Sequence, residues 1–125
     1  MTDNLISSGP VLLDLEPNGI ARIRLNRPDA SNGMDVSFLQ ALHAAILRAH
    51  GEPRTRVVVL TGEGKNFCAG GDVKTFASKG DGLPDYLREA TAWLQIATSA
   101  LIDLKVPVIA SVQGFAGRAE DCGVQ

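Results

Sequence analysis

The chain has 125 residues, 45% of them apolar, with 12 basic and 14 acidic side chains and a net charge of −2. That length supplies one domain with a real core, because roughly two-thirds of the unfolded surface is buried at this size. Scattered basic residues in a near-neutral balance exclude a nucleic-acid or membrane-surface footprint, and no apolar run approaches the ~20 residues of a membrane-spanning helix.

In chain order, VLLDL at 11–15 and IARIRL at 20–25 read as two short strands. Ile23 and Leu25 share a face, while Ile20, Arg22 and Arg24 alternate imperfectly. Between them EPNG is a turn, with φ fixed at Pro17 and positive φ tolerated at Asn18-Gly19, so the pair reads as a hairpin. NRPDASNG at 26–33 is irregular, interrupted by Pro28 and Gly33. Asp35 is placed to cap a helix over 36–50, where Phe38, Leu39, Leu42, Ile46 and Ala49 recur at helical spacing. Gly51 ends it, with Pro53 beyond as a second stop. RVVVLTG at 56–62 has four consecutive apolar residues, the pattern of a strand covered on both faces in a parallel sheet. Strand, helix and strand in this order imply a right-handed crossover.

KGDGLPD at 79–85 is a mobile loop by composition. Leu87, Ala90, Leu94, Ala97, Leu101 and Leu104 are spaced by three and four, which predicts a long helix over 83–104 with Trp93 beside its apolar stripe as part of the core. Pro107 stops it, and VPVIASV at 106–112 reads as another buried strand. From Gly114 the text GFAGRAEDCGVQ shows no periodicity.

Cys68 and Cys122 are the only cysteines and form no CxxC pair, which argues against a disulfide scaffold or structural zinc and fits a reducing cytoplasm. Cys68 reads as a small buried hydrophobe. His43 and His50 lie on the first long helix as exposed or helix-end residues, and no metal constellation is visible. The opening MTDNLISSGP has no basic stretch leading into an apolar run, so it does not read as a secretory signal.

The stretch NFCAGGDVK at 66–74 raises a chemical question. It joins the strand RVVVLTG, through the loop EGKNFCAG, to a short helix GDVKTFAS. A strand turning into a helix presents free backbone N–H groups, and these stabilise negative charge on a ligand oxygen. A glycine at position 71 lets such an oxygen come close, which is the chemistry of an oxyanion hole. Two phosphate motifs fail here. GEGKN lacks the leading glycine of a P-loop and carries Asn66 where Ser or Thr should hold magnesium, and a dinucleotide fingerprint from Gly62 would need glycine at Phe67. Local physics leaves both a simple turn and a ligand contact open for Gly70-Gly71.

Four pieces in series, GIARIRLNRPDASNGM, RVVVLTGEGKNFCAGGDVK, the long helix and VPVIASVQGFA, resemble the first part of the crotonase superfamily, the enoyl-CoA hydratase/isomerase proteins. The resemblance covers about residues 10–116 and roughly half the family's usual length. It implies an α/β fold with a crotonase-like ββα spiral core, present here as a single partial, apparently truncated domain with a divergent tail at 117–125. It also implies that the Gly71 N–H donates to a thioester carbonyl as one oxyanion donor, and that Asp72, Val73 and Lys74 line the acyl-CoA site. The Ala69 carbonyl is expected to meet the adenine amino group, and backbone at Ala30 to contact the CoA moiety. For Asp72 and Lys74 a solvated helix start is the competing reading.

The tail departs from the family. Counting from Gly114 puts the second oxyanion donor at Ala119, or at Arg118 with one residue missing, and neither is glycine. Of the two glutamates that handle water in hydratases, one aligns near Cys122 and the other falls beyond Gln125; Glu120 is out of register. The resemblance thus implies an acyl-CoA-binding protein, most simply a 2-enoyl-CoA hydratase impaired in this short form. It implies no cofactor, with CoA present only as part of the substrate, a cytoplasmic location, and homo-oligomers for the full-length family member. The alternatives are a non-catalytic fragment or interaction module, and an enoyl-CoA isomerase or acyl-CoA thioester hydrolase.

Overall fold

The computed structural model describes residues 1–114. Its elements in chain order are β1 (Asp3–Ile6), β2 (Val11–Leu15), β3 (Ile20–Leu25), α1 (Val36–His50), β4 (Val57–Gly62), α2 (Val73–Ala77), α3 (Leu83–Ile102) and β5 (Val108–Ala110). The five strands form one sheet in sequence order. β2 and β3 make the hairpin expected from EPNG, antiparallel with Leu13 opposite Ile23. α1 then crosses to β4, which runs parallel to β3 from Ile20↔Val57 to Leu25↔Gly62, and β4 pairs parallel with β5.

Alternation along β3 decides what the sheet buries. Ala21, Ile23 and Leu25 face inward with Val11, Leu13 and Leu15 of β2, against Phe38, Leu39, Ala45, Ile46 and Ala49 of α1. Arg22 and Arg24 point to the other face. There Arg22 pairs with Glu16 at 2.9 Å, while Arg24 pairs with Asp14 at 2.8 Å and with Glu63. α1 has the bounds read from its periodicity, because Asp35 accepts the Phe38 N–H at 2.8 Å as its N-cap and the chain leaves the helix at Gly51. α3 packs on α1, with Trp93 half-buried and 5.9 Å from the His43 ring; His50 is exposed at the end of α1. Cys68 is buried, as read.

β1 is an edge strand for which the sequence held no expectation, paired antiparallel with β2. Four expectations are corrected. His43 is neither exposed nor at a helix end but half-buried within α1 beside Trp93. Strand β4 is not covered on both faces, since only Val58 is fully buried. The strand expected at 106–112 is confined to three residues, all of them exposed. The segment 79–85 is structured: Gly80–Gly82 forms a 3-10 turn, the helix begins at Leu83, and the Lys79 ammonium sits 4.4 Å over the Tyr86 ring. Ala119, Arg118, Glu120 and Cys122 lie outside the described residues.

Candidate functional site

β3 and β4 are parallel, so the loops that follow them emerge at the same end of the sheet, the C-terminal end where open α/β sheets bind ligands. Loop 26–35 follows β3 and loop 63–72 follows β4. Asn32 ties one to the other. It is fully buried in the left-handed region at φ 56°, a conformation asparagine tolerates better than most side chains. Its Oδ1 accepts the Arg27 N–H at 2.7 Å, and its Nδ2 donates towards the carbonyls of Glu63, Asn66 and Phe67 at 3.1, 3.0 and 2.9 Å. Two amide hydrogens serve three acceptors, so at least one is shared. The Ala69 N–H donates to the Ser31 carbonyl at 2.9 Å.

The second loop is also held from behind. The Gln113 carbonyl accepts the Phe67 N–H at 2.9 Å, and Gln113 Nε2 donates to the carbonyls of Gly62 and Gly64. A Cβ on Gly62 would lie 2.7 Å from the Phe67 carbonyl oxygen, so only glycine lets the loop close on itself there.

At the end of the loop, Gly71 pairs with Met34 as an isolated parallel bridge. The Gly70 carbonyl accepts the Met34 N–H at 2.8 Å and the Asp72 N–H donates to the Met34 carbonyl at 2.9 Å. All peptide bonds are trans, and a trans peptide points its C=O and N–H in opposite directions. With the Gly70 carbonyl aimed at Met34, the Gly71 N–H of the same peptide points away from Met34. It donates to no described residue. Gly71 itself is half-buried.

Asp72 is the N-cap of α2. Its Oδ1 accepts the Thr75 N–H at 3.2 Å, and its Oδ2 accepts from Thr75 Oγ1 and from Arg27 Nη2, both at 2.9 Å. Arg27 reaches further: Nη1 donates to the Gly33 carbonyl and lies 3.5 Å from Oδ2 of Asp35, the cap of α1. One guanidinium therefore joins both helix starts. Burial pushes the Asp72 carboxyl up, but the bonds from Arg27 and Thr75 outweigh it and hold the group below its usual range. A carboxyl depressed in the fold contributes stability above its unfolded pKa, near 3.9, and loses it as pH falls through the folded value. Acid unfolding followed by circular dichroism should therefore show a steeper loss of stability below about pH 4 in the wild type than in Asp72→Asn.

Of the residues expected from the sequence, Ala69, Gly71, Asp72, Val73 and Lys74 are brought to one edge. The Ala69 carbonyl accepts no hydrogen bond from a described residue. Val73 is 73% exposed and Lys74 is exposed, whereas Asp72 is only 9% exposed and is engaged as a cap, not solvated. Ala30 is exposed on a 3-10 turn, its N–H donating to the Arg27 carbonyl and its C=O accepting from Gly33, so a ligand there would use the carbonyl's second lone pair. Arg27 and Asn32, which assemble the site, were not distinguished from the rest of their loop by the sequence; the Asn-Gly pair at 32–33 was the one signal of unusual backbone.

A cavity of about 650 Å³ lies between α1 and α3, lined by residues such as Leu47, His50, Ile96 and Ser99, and takes nothing from the two loops. Among the described residues no group of three His, Cys, Asp or Glu side chains is placed to hold a metal, and no helix is long and apolar enough to cross a membrane.

Residues 16–119 match the family model described as enoyl-CoA hydratase/isomerase. A probable enoyl-CoA hydratase of Rhodobacter capsulatus is 39% identical over 101 residues, which is 81% of this chain and 37% of that protein. The (E)-benzylidenesuccinyl-CoA hydratase of Thauera aromatica is 34% identical over 110 residues, 86% of this chain and 40% of its own length. The crystal structure of an enoyl-CoA hydratase from Mycobacterium smegmatis superposes with a TM-score of 0.78 at 33% identity, covering 86% of this chain and 41% of that one. The chain thus spans well under half the length of the relatives it matches, and the α/β crotonase-like fold expected from the sequence is the one found.

Proposed function

The chain belongs to the enoyl-CoA hydratase/isomerase family, and from that premise we propose that it binds an acyl-CoA thioester with the acyl carbonyl on the Gly71 N–H, most simply for hydration of a 2-enoyl-CoA. In that reaction water adds at the β-carbon, charge gathers on the thioester oxygen as an enolate, and protonation at the α-carbon completes the addition. A donor fixed before the charge appears stabilises the enolate more than the ground-state carbonyl. The observation that carries the reading is the Gly71 N–H, turned away from Met34 and engaged by no described residue.

The neighbouring residues fit the rest of an acyl-CoA. The Ala69 carbonyl offers an acceptor for the adenine amino group, Ala30 a backbone contact, and Val73 and Lys74 an exposed flank. Asp72 is held by Thr75 and Arg27 as the cap of α2, a structural role. Cys122 stands near the position of one family glutamate, so turnover by this chain is expected to be slow even where binding is sound; one missing acid–base group costs ~10²–10⁴ in rate. Homo-oligomer formation by the full-length family member and a cytoplasmic location go with the same reading.

The test compares crotonyl-CoA with S-(but-2-enyl)-CoA, the thioether that lacks only the carbonyl oxygen, by calorimetric titration. Tighter binding of the thioester supports the reading, and equal binding or none overturns it. A second reading, an association module retaining part of the CoA groove, draws on the exposure of Ile102, Ile109 and Val112 at 75%, 55% and 54%. Elution from gel filtration as a compact monomer at micromolar concentration would count against it.

A further inference from the structure

We propose that Arg27 is a positioning residue that polarises the Gly71 N–H through two intervening peptide groups, an assignment that rests on the reading above only for the identity of the ligand. The guanidinium Nη1 donates to the Gly33 carbonyl. The N–H of that same peptide, on Met34, donates to the Gly70 carbonyl at 2.8 Å. The N–H of the next peptide is that of Gly71, the candidate donor. The chain of contacts therefore runs from a permanent cation, through peptide 33–34 and peptide 70–71, to a single outward hydrogen.

Each link acts in the same direction. A cation at the Gly33 oxygen draws electron density along its peptide and makes the Met34 hydrogen more positive. That hydrogen does the same to the Gly70 oxygen, and so to the Gly71 hydrogen. Hydrogen bonds in series strengthen one another by about 10–30% per bond, more so where the local dielectric is low. Arginine suits the post because it stays protonated and its planar fork serves several acceptors at once. Its second amino group binds Asp72 at 2.9 Å, which offsets a carboxylate one residue from the site where enolate charge would collect. Asp35, 3.5 Å from Nη1, braces the guanidinium from the other helix start.

The test uses amide proton shifts of the 125-residue chain. In Arg27→Gln, which removes the charge, the Met34 and Gly71 amide protons should move upfield together while amides in the centre of α1 stay in place. In Arg27→Lys, which keeps the charge, both should stay near their wild-type positions. A folded Arg27→Gln protein with an unmoved Gly71 amide overturns the relay, as does a folded Arg27→Lys protein that behaves like Arg27→Gln. A ligand arm separates this from the function: cinnamoyl-CoA, a chromophoric thioester, should show a red shift on binding the wild type and a smaller one on binding Arg27→Gln. Amides that respond to Arg27 in a protein that binds no thioester would sustain the relay and sink the substrate reading. Thioester binding with amides indifferent to Arg27 would do the reverse.

Discussion

Replacing Gly71 by proline should abolish the preference for a CoA thioester over the matching thioether and lower any hydration rate by about 10²–10³, the usual cost of one oxyanion donor. Proline removes the amide hydrogen outright. The two bonds that seat the loop on Met34 use the Gly70 carbonyl and the Asp72 N–H, not the N–H of Gly71, so the fold has no direct need of that hydrogen. Gly70 carries no Cβ, which removes one of the two clashes a proline ring makes with the residue before it, the other being with its N–H. Gly71→Ala retains the hydrogen and is the control: it should keep the preference. Titration of both variants, alongside their thermal unfolding, decides the matter. A folded Gly71→Pro protein that still prefers the thioester would remove the mechanism.

The largest effect on stability is expected at Asn32. Asn32→Ala leaves the carbonyls of Glu63, Asn66 and Phe67 and the N–H of Arg27 without their side-chain partner, and it places alanine at φ 56°. A buried polar group stranded in this way costs about 1–3 kcal/mol, and some of these four will recover water. A fall of about 2–4 kcal/mol in unfolding free energy from urea titration follows. Hydrogen exchange should speed up first at Phe67 and Ala69, whose loop is released from its neighbour. A loss below about 0.5 kcal/mol, the range of an unremarkable surface change, would show that Asn32 is not the tie between the loops.

Why α1 was legible in the sequence and the site's framework was not comes down to the range of the interactions. Helix α1 is specified within its own text, by a cap at Asp35, an apolar stripe and Gly51, all inside the single stretch 35–51. The β2–β3 hairpin is equally local, with its turn at EPNG. At Gly70-Gly71 the text left a turn and a ligand contact open, and the family resemblance chose between them. The exposure of β5 could not be read, since VPVIASV encodes a preference for strand but not which surfaces will cover it. β1 was missed because Asp3 and Asn4 are poor strand formers and its place is set by pairing with β2. Arg27 and Asn32 sit in text that reads as an irregular loop. Their partners lie up to 45 positions away, at Asp72 and Phe67, and no periodicity in one dimension announces such a bond.

The clasp formed by Gln113 sets an order of events. Phe67 and Gly62 leave the ribosome long before the residue whose backbone and amide side chain hold their loop closed. Until that later segment has been synthesised, the loop that carries the glycine pair is held only by its ties to loop 26–35, through Asn32, the Ser31 carbonyl and Met34. A nascent chain stalled before position 113 would thus lack the bonds that brace the 63–72 loop from behind while keeping the residues that tie it to loop 26–35.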